Sequence, residues 1–593
     1  MREFYSPFIL PFVVGTVFLL VVIVYKWGSW VFRLSRKEKN MIWRGIPTAA
    51  TLKAAWEVVM ESLLHRKIFR VNPVLGYMHM SLAFGWFLLI SVGMVEAAMT
   101  IGLTSPLHAH VFYRFFDTEI HDGPHMMAHI MDALLLFVLS GVALAWLKRL
   151  RSRILGMKKT TRHVLFDKLA LSALWFIFPL RLTAESFMAA IKHNGGFLTG
   201  TLGNMIAAGL PLDTIVWCND VAWWCYSFAL GLFFVAMPFS RYMHIFTEIP
   251  LIFLRHYKLQ PKDEPSSLDE FQLQACSRCG ICIDPCQLQS QAGINNVQSV
   301  YAIRDRRYGW LTEEVADNCL MCGRCEVKCP VGLDLNTLRL SGRAKMRNRA
   351  DESRYDYING LDRSSGEGNV GYFAGCMTLL TPAVMQAMEK IFAAVGENVW
   401  FADRDGGVCC GRPQKLSGAV NAARQMMEYN KKLFRDHDIK VLVTSCPICL
   451  RVFKEDYDMP EIEVLHHSEY IRRMAKRGRL VLHKTGESYT YHDPCELGRG
   501  SGIYDEPRDI IRSLGTLIEP NHNRENALCC GSSLANTAIT DQQQRHIADA
   551  VAAELEATGA TQIVTACPLC KKAIARGTER PIVDLAQVVA DSL

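Results

Sequence analysis

The chain divides into an apolar part and a polar part. Five stretches are apolar over a length that crosses a bilayer as a helix. They lie at about 6–32, 74–98, 126–147, 167–190 and 215–240. This pattern predicts a five-helix, all-α transmembrane bundle within residues 1–250. The first stretch is alternatively a signal peptide, although it is longer than an ordinary signal core and basic residues follow it.

The remaining sequence has the charge density of a soluble protein. A predicted linker at 251–268, rich in Pro, Asp, Glu and Ser from Gln260 onward, leads to a cysteine-rich segment at 269–350. Residues 368–460 and 487–590 then repeat one order of elements, in which extended apolar runs alternate with helical stretches. Such alternation is typical of βαβ units on a parallel sheet. The sequence therefore predicts a duplicated α/β domain.

Cysteine is concentrated in the polar part, where eighteen of the twenty cysteines follow residue 275. Two groups have ferredoxin spacing: Cys276, Cys279, Cys282 and Cys286, then Cys319, Cys322, Cys325 and Cys329. The other two groups are Cys376, Cys409, Cys410, Cys446 and Cys449, then Cys495, Cys529, Cys530, Cys567 and Cys570. Equivalent cysteines of these last two groups are 119–121 residues apart, as in a duplication.

The first two groups predict two cubane [4Fe–4S] clusters in an α-helical ferredoxin-like domain. In chains of this pattern the fourth cysteine of each run ligates the other run's cluster. The predicted ligand sets are Cys276, Cys279, Cys282 and Cys329, and Cys319, Cys322, Cys325 and Cys286. Pro330 follows the second run as is usual, whereas Gln287 follows the first. Zinc is the alternative metal for such Cys-x-x-Cys steps.

Charge indicates where these domains lie. The net charge is +7, but the basic residues gather beside the apolar stretches, which argues against nucleic acid as a partner. The loop between the first two stretches contains nine Lys and Arg residues and three acidic residues. The loop between the third and fourth stretches contains seven Lys and Arg residues and no acidic residue. The positive-inside rule then puts the N-terminus outside and residue 241 onward in the cytoplasm. We expect a multi-pass protein of the cytoplasmic (inner) membrane with its cysteines in a reducing compartment.

Histidines near the apolar stretches are candidate haem ligands. His79 and His244 fall at one depth on different helices, and two such imidazoles can ligate one b-type haem on opposite faces. The alternative is that each is an interfacial polar residue. A second haem nearer the outer face would use His129, or His125 or His193. The sequence thus predicts one or two haems.

Two ionisable residues lie inside the fourth stretch. Arg181 and Glu185 are four residues apart and share a helix face. Ionisable groups within a membrane are costly and therefore become candidates for function. The pair is predicted to line a quinone pocket or relay protons, or alternatively to form a plain buried ion pair.

The motifs also carry a family resemblance. Cys-x(32)-Cys-Cys-Gly-x(34)-Cys-Pro-x-x-Cys, repeated with gaps one residue longer, resembles the CCG cysteine-rich domains of the heterodisulfide reductase catalytic subunit and of related dehydrogenase subunits. His79 and the stretch from Pro238 to His244 resemble cytochrome b subunits of membrane heterodisulfide reductase and, more distantly, of nitrate reductase. The order of the parts is similar to a fusion of such subunits, and to electron-transfer-flavoprotein:menaquinone oxidoreductases.

This resemblance implies cofactors and partners. CCG motifs with all five cysteines imply one or two non-cubane [4Fe–4S] clusters. The resemblance also implies haem b as a cofactor and menaquinone as the substrate. Related cytochromes carry a histidine where this chain has Trp223, Trp224 and Cys225, which bears on the second haem. No Gly-x-Gly-x-x-Gly loop follows a strand, so a flavin would reside on a partner.

Two functions follow from this interpretation. In the first, electrons move between membrane quinone and a cytoplasmic redox protein, with disulfide cleavage at the second copy's catalytic cysteines Cys495, Cys529, Cys530, Cys567 and Cys570. His492 or Asp493 would then donate a proton, or alternatively shape the loop. In the second, the CCG domains only accept electrons from a flavoprotein, such as an electron-transfer flavoprotein or a 2-hydroxy-acid dehydrogenase.

Overall fold

The computed structural model describes residues 7–105, 107–111, 113, 126–154, 163–262, 264–347, 358, 362–534, 536 and 538–593. His125, a predicted ligand of the second haem, lies outside these residues. The described chain divides into two units. The first consists of Met1–Gln260 and Ser267–Cys279, and the second of Pro261–Ser266 and Gly280–Leu593.

The first unit is helical. Its helices are α1 (Leu10–Phe32), α2 (Arg36–Gly45), α3 (Ala49–Glu57), α4 (Arg66–Val71), α5 (Pro73–Ile101), α6 (Leu107–Val111), α7 (Met126–Ile154), α8 (Leu165–Lys192), α9 (Thr199–Gly209), α10 (Leu212–Ala236), α11 (His244–His256) and α12 (Ser267–Ala275). A π-helical turn covers Val58–Leu63, and 3-10 turns cover Pro7–Ile9, Met237–Phe239 and Arg241–Met243.

Membrane-length apolar helices are present as predicted. Within the described residues, four segments are long and apolar enough to cross a membrane: Pro7–Phe32, Pro73–Ile101, Met126–Lys148 and Leu212–Phe239. The transmembrane prediction is thereby confirmed. The stretch at 167–190 is helical within α8 but is not among the four, and ionisable residues such as Arg181 and Glu185 interrupt it. A fifth span stays a prediction.

Local sequence explains the ends and packing of these helices. The side chain of Asn72 accepts a hydrogen bond from the Leu75 amide at 3.0 Å, so it caps α5 where Pro73 begins the helix. Gly15 on α1 and Gly231 on α10 allow the two backbones to touch. A Cβ atom at Gly15 would lie 2.7 Å from the Gly231 Cα atom. Small residues at such crossings are the usual means of close helix packing in membranes.

The second unit combines helices with two sheets. Its helices are α13 (Gln287–Ser290), α14 (Ser299–Tyr308), α15 (Glu313–Asp317), α16 (Arg324–Val327), α17 (Leu335–Arg347), α18 (Cys376–Leu379), α19 (Pro382–Val395), α20 (Arg412–Ser417), α21 (Val420–Asp436), α22 (Pro447–Glu455), α23 (His467–Lys476), α24 (Gly498–Ser501), α25 (Asp505–Leu514), α26 (Asp541–Glu556), α27 (Pro568–Ile574) and α28 (Leu585–Ala590), with a 3-10 turn at Arg524–Asn526. Its strands are β1 (Val370–Phe373), β2 (Val399–Phe401), β3 (Val441–Thr444), β4 (Glu463–His466), β5 (Ser488–His492), β6 (Thr516–Ile518), β7 (Gln562–Thr565) and β8 (Ile582–Asp584).

Each sheet has four parallel strands. The orders are β2-β1-β3-β4 and β6-β5-β7-β8, which place the elements of the two copies in the same arrangement. Val370 is in register with Val399 on one side and with Val441 on the other. The central strands are buried, as apolar parallel strands usually are. Buried side chains of both sheets, including Tyr372 and Tyr489, form one hydrophobic cluster.

The sheet topology places the cysteines. Cysteine loops follow the carboxyl ends of β1, β3, β5 and β7, all of which are central strands. Carboxyl ends of parallel strands meet at one edge of a sheet, where α/β proteins bind their ligands.

Candidate redox centres

Three histidines approach one another in the first unit. The His79 ring, on α5, lies 5.7 Å from the His65 ring between centroids, with 20° between the planes. His79 is also close enough to His244, at the start of α11, to interact with it electrostatically. Sequence analysis missed His65, because it lies in a basic segment whose pattern is typical of solvated residues.

The hydrogen bonds of these histidines suit metal ligation. His65 Nδ1 lies 3.0 Å from the Leu63 carbonyl oxygen, and His244 Nδ1 lies 2.7 Å from the Arg241 carbonyl oxygen. A carbonyl only accepts, so each Nδ1 carries the hydrogen and each Nε2 presents a lone pair, the usual state of a ligating histidine. Burial lowers the pKa of His65, which favours its neutral form. The residues present therefore fit a bis-histidine haem.

The outer candidates are arranged differently. His129 lies near the start of α7, exposed, with its ring stacked on Phe197 at 6.3 Å between centroids. His193 ends α8 in a left-handed conformation with φ of 55°. Trp223 is buried at the position where related cytochromes carry a histidine. A second haem stays a prediction.

Arg181 and Glu185 form a largely buried ion pair, with 2.9 Å between Nε and Oε1. Glu185 also lines a small cavity of about 30 Å³ together with Asp132, Asn194 and Trp223. Asp132 accepts hydrogen bonds from the amides of residues 198 and 199 at 2.7 and 2.9 Å. Glu185 is therefore at the wall of a small, partly polar cavity inside the helical unit, and Arg181 pairs with it there.

Asp167 connects the loop of the first cysteines to the segment before His244. Its carboxylate, fully buried, forms an ion pair with Arg278, which lies between Cys276 and Cys279. The same carboxylate accepts a hydrogen bond from the Arg241 amide at 2.8 Å. All of these residues belong to the first unit. One carboxylate thus holds both a predicted cluster loop and the turn that leads into a predicted haem ligand.

The fourth cysteine of the first run lies with the second run. Cys286 is near enough to Cys319 and Cys322 to interact electrostatically, and Cys325 interacts with Cys319 and Cys322 in the same way. Burial chiefly, and these neighbouring thiols, raise the pKa of Cys286 to about 12. The proximity of Cys286 to Cys319 and Cys322 agrees with the crossed ligand set.

The first CCG copy brings its five thiols into a continuous series. The thiols lie close enough to interact with one another in the order Cys376, Cys409, Cys410, Cys449 and Cys446. Gly375 has φ of 80°, and a Cβ atom there would lie 3.0 Å from the Cys449 sulfur. Asp403 holds this loop by accepting from the amides of residues 374 and 375 at 2.8 and 2.7 Å.

The second copy repeats the series. The thiols lie close enough to interact with one another in the order Cys495, Cys529, Cys530, Cys570 and Cys567. In the described part of the chain, no group of three or more His, Cys, Asp and Glu side chains gathers as a single-ion site would. A series of five thiols fits a multi-iron cluster better than one tetrahedral zinc ion.

His492 and Asp493 are engaged by their own fold. His492 Nε2 lies 3.2 Å from the Leu528 carbonyl oxygen, and Nδ1 lies 3.3 Å from the Thr565 hydroxyl. Burial lowers the pKa of His492 and keeps it neutral. The Asp493 carboxylate pairs with Arg508 through bonds of 2.7 and 2.8 Å. These contacts favour a role in shaping the loop, and proton donation stays a prediction.

The second run of the ferredoxin-like segment lies against the second CCG copy. The Cys322 and Cys529 thiols lie close enough to interact, and this interaction, with help from the Arg499 guanidinium, lowers the pKa of Cys322 to about 6. Arg499 Nε also donates to the Cys322 carbonyl oxygen at 2.6 Å. Gln287 contacts the backbone of Cys529. Sequence analysis missed the roles of Arg499 and Gln287, since both partners are far away in the chain.

Comparison with known proteins agrees with these centres. Residues 272–333 match the 4Fe-4S dicluster domain, and residues 370–454 and 489–575 each match the cysteine-rich CCG domain. The predicted iron–sulfur character is thereby confirmed.

Individual relatives extend the comparison. The chain is 21% identical to the EtfAB:quinone oxidoreductase of Syntrophomonas wolfei over 95% of this chain and 93% of that protein. It is 25% identical to one subunit of the dihydromethanophenazine:CoB–CoM heterodisulfide reductase of Methanosarcina mazei over 56% of this chain and 81% of that protein. A probable membrane-anchored ferredoxin of Chromohalobacter salexigens is 26% identical over 57% of this chain and 51% of its own length. The chain is therefore a membrane-anchored iron–sulfur oxidoreductase. It is related to the heterodisulfide reductase polypeptide and to EtfAB:quinone oxidoreductase, and it joins a membrane part and an iron–sulfur part in one polypeptide.

Proposed function

We propose that this chain transfers electrons from a cytoplasmic flavoprotein to membrane menaquinone. The observation that carries the proposal is the similarity to an EtfAB:quinone oxidoreductase over 95% of the chain, which includes the helical and the cysteine-rich parts together. When bound, haem b and the iron–sulfur clusters supply single-electron carriers, which separate the two electrons of a reduced flavin.

The cysteines would hold four clusters. We assign one cubane to Cys276, Cys279, Cys282 and Cys329, and a second to Cys286, Cys319, Cys322 and Cys325. The two CCG copies would each hold a non-cubane cluster through their five cysteines. The mutual approach of Cys286, Cys319 and Cys322 supports the second assignment. The thiol series of each copy supports the other two.

His79 would hold the haem iron together with His244 or His65. The 5.7 Å separation of the His65 and His79 rings favours His65. The Nδ1 atoms of His65 and His244 are each hydrogen-bonded to a carbonyl oxygen, so this feature does not distinguish the two. His129 would belong to a second haem. We place the clusters on the cytoplasmic side of the inner membrane. The positive-inside rule assigns the basic loops to that side, and it assigns residue 241 onward to the same side.

The cavity beside α8 would be part of the path that delivers protons to the quinone. Reduction of a quinone takes up two protons, so a path for protons is needed near its head group. Glu185 can accept and pass a proton, while Arg181 holds its side chain in place at 2.9 Å. Asp132, across the cavity, extends the polar lining. Arg181 and Glu185 are our candidates for the quinone pocket.

A second candidate function is disulfide reduction at the second CCG copy. All five of its cysteines are present, and the chain is similar to a polypeptide of a heterodisulfide reductase. The cysteines would then contact the two sulfur atoms of the substrate. The engagement of His492 by Leu528 and Thr565 leaves this hypothesis without a poised proton donor among the residues next to Cys495.

The two functions separate when electron donors are compared on the purified protein. Reduced electron-transferring flavoprotein, a dithiol and menaquinol are each mixed anaerobically with the protein, and haem absorbance is followed. Rapid reduction by the flavoprotein and re-oxidation by menaquinone support the first function. Reduction by the dithiol alone would support the second and contradict the first.

A further inference from the structure

Gln287 is clamped to the backbone of Cys529. The Gln287 Nε2 atom donates to the Cys529 carbonyl oxygen at 3.0 Å, and the Cys529 amide donates to Gln287 Oε1 at 2.6 Å. Both residues are buried, with 3% and 2% of their surface exposed. One side-chain amide thus satisfies both hydrogen-bonding groups of one peptide residue, and a buried pair of this kind holds its geometry tightly.

The two ends of this clamp adjoin different predicted clusters. Gln287 directly follows Cys286, which we assign to the second cubane. Cys529 is assigned to the cluster of the second CCG copy. Their sequence positions are 242 residues apart, so the contact depends on the fold of the second unit. The clamp is therefore a hydrogen-bonded connection between neighbours of two redox centres.

A second connection lies beside the first. Arg499 Nε donates to the Cys322 carbonyl oxygen at 2.6 Å, and its NH1 group donates to the carbonyls of Glu525 and Ala527 at 3.0 and 2.9 Å. Arg499 is part of helix α24, which follows Cys495. Both connections join the second cysteine run to the second CCG copy.

The clamp accounts for a departure in the sequence. After its last cysteine the second run has Pro330, whose side chain forms no hydrogen bond, whereas the first run has Gln287. A proline at position 287 would leave the Cys529 amide and carbonyl, both buried, without this partner. The loss of both bonds would cost stability and loosen the loop that carries Cys529 and Cys530.

We propose that Gln287 is a positioning residue that couples the second cubane to the cluster of the second CCG copy, so that this copy exchanges electrons with the ferredoxin-like segment. The step moves one electron: one centre is oxidised by one electron, the other is reduced by one, and no bond or proton changes at Gln287. The inference rests on the cluster assignments of the proposed function.

The test compares Gln287→Met, which keeps the length of the side chain and removes both bonds, with Gln287→Ala. The matched control is Gln289→Ala on the same helix. Full-length protein is prepared in a Cys409→Ser background, which removes one ligand of the first copy, so that of the two CCG copies only the second contributes its five-cysteine signal. After rapid mixing with dithionite, freeze-quench electron paramagnetic resonance follows that signal, and a redox titration gives its midpoint potential.

We expect both Gln287 variants to retain iron and sulfide, to shift the midpoint potential of the second-copy cluster, and to slow its reduction about 10-fold or more, the scale seen for outer partners of metal ligands. Gln289→Ala should change neither quantity. Unchanged potential and rate in Gln287→Met would overturn the inference. Loss of clusters in Gln287→Ala but not in Gln287→Met would leave the Met variant to decide.

Failure of the proposed function would look different. Dithionite replaces the flavoprotein in this experiment, so a protein that ignores the flavoprotein can still show the effect of Gln287. Conversely, a wild-type protein without iron–sulfur signals would overturn both the cluster assignments and this inference.

Discussion

Replacing Asp167 is expected to destabilise the first unit strongly. Its fully buried carboxylate pairs with Arg278, which is 2% exposed, and accepts from the Arg241 amide. Asp167→Asn keeps the shape and one acceptor but leaves the Arg278 charge buried without its partner. Breaking a buried ion pair in this way costs about 3–5 kcal/mol. For a unit of this size that corresponds to a fall in melting temperature of about 6–20 °C.

The assay is thermal unfolding of the detergent-solubilised protein, followed by intrinsic fluorescence. Asp213→Asn, an exposed acid in the first turn of α10, is the matched control and should melt like the wild type. The double variant Asp167→Leu with Arg278→Met removes both charges, so it should lose less than the sum of the two single changes. Equal melting of Asp167→Asn and the control would refute this reasoning, as would strict additivity in the double variant.

Three further predictions concern the haem, one cubane and pH. His79→Ala should abolish the haem absorbance, and an unchanged spectrum would contradict the assignment. The second ligand is identified by whichever of His65→Ala and His244→Ala also abolishes the absorbance. Cys286→Ser should lower the iron content by about four atoms per chain, the content of one cubane, whereas undiminished iron would exclude Cys286 as a ligand. Burial raises the pKa of Asp584 to about 7. The folded protein therefore keeps a proton that the unfolded chain releases above about pH 4. The contribution of Asp584 to the free energy of unfolding consequently falls as the pH rises from about 4 to 7. Asp584→Asn, which mimics the protonated acid, should flatten the dependence of melting temperature on pH across that window, and an unchanged slope would count against the shift.

Local patterns in the sequence predicted much of the fold. Membrane-length stretches such as 74–98 and 215–240 need only hydrophobicity and length, and both lie in apolar helices. Cysteine spacing predicted the iron–sulfur character of the second unit, because Cys-x-x-Cys steps converge on short loops, and the matched domains confirm that character. In contrast, α8 combines apolar residues with Arg181 and Glu185, so periodicity alone does not decide whether it spans a membrane.

Long-range contacts could not be predicted. Asp167 and Arg278 are 111 residues apart, and nothing near either residue signals the other. His65 lies among basic residues, and only the packing of α4 against α5 brings it to His79. Gln287 stood out as a departure from the usual proline, but its partner Cys529 became known only from the folded unit.

The connection between soluble donor and membrane haem is tested most directly by one time course. Full-length protein in liposomes with menaquinone is mixed anaerobically with reduced electron-transferring flavoprotein, and haem absorbance is recorded for the wild type and for Cys322→Ser. We predict rapid haem reduction and menaquinol formation in the wild type, and loss of both in the variant, because Cys322 is an assigned ligand of the second cubane and contacts the second CCG copy. Haem reduction at the same rate in Cys322→Ser, or none in the wild type, would contradict electron transfer through the cysteine centres to the membrane.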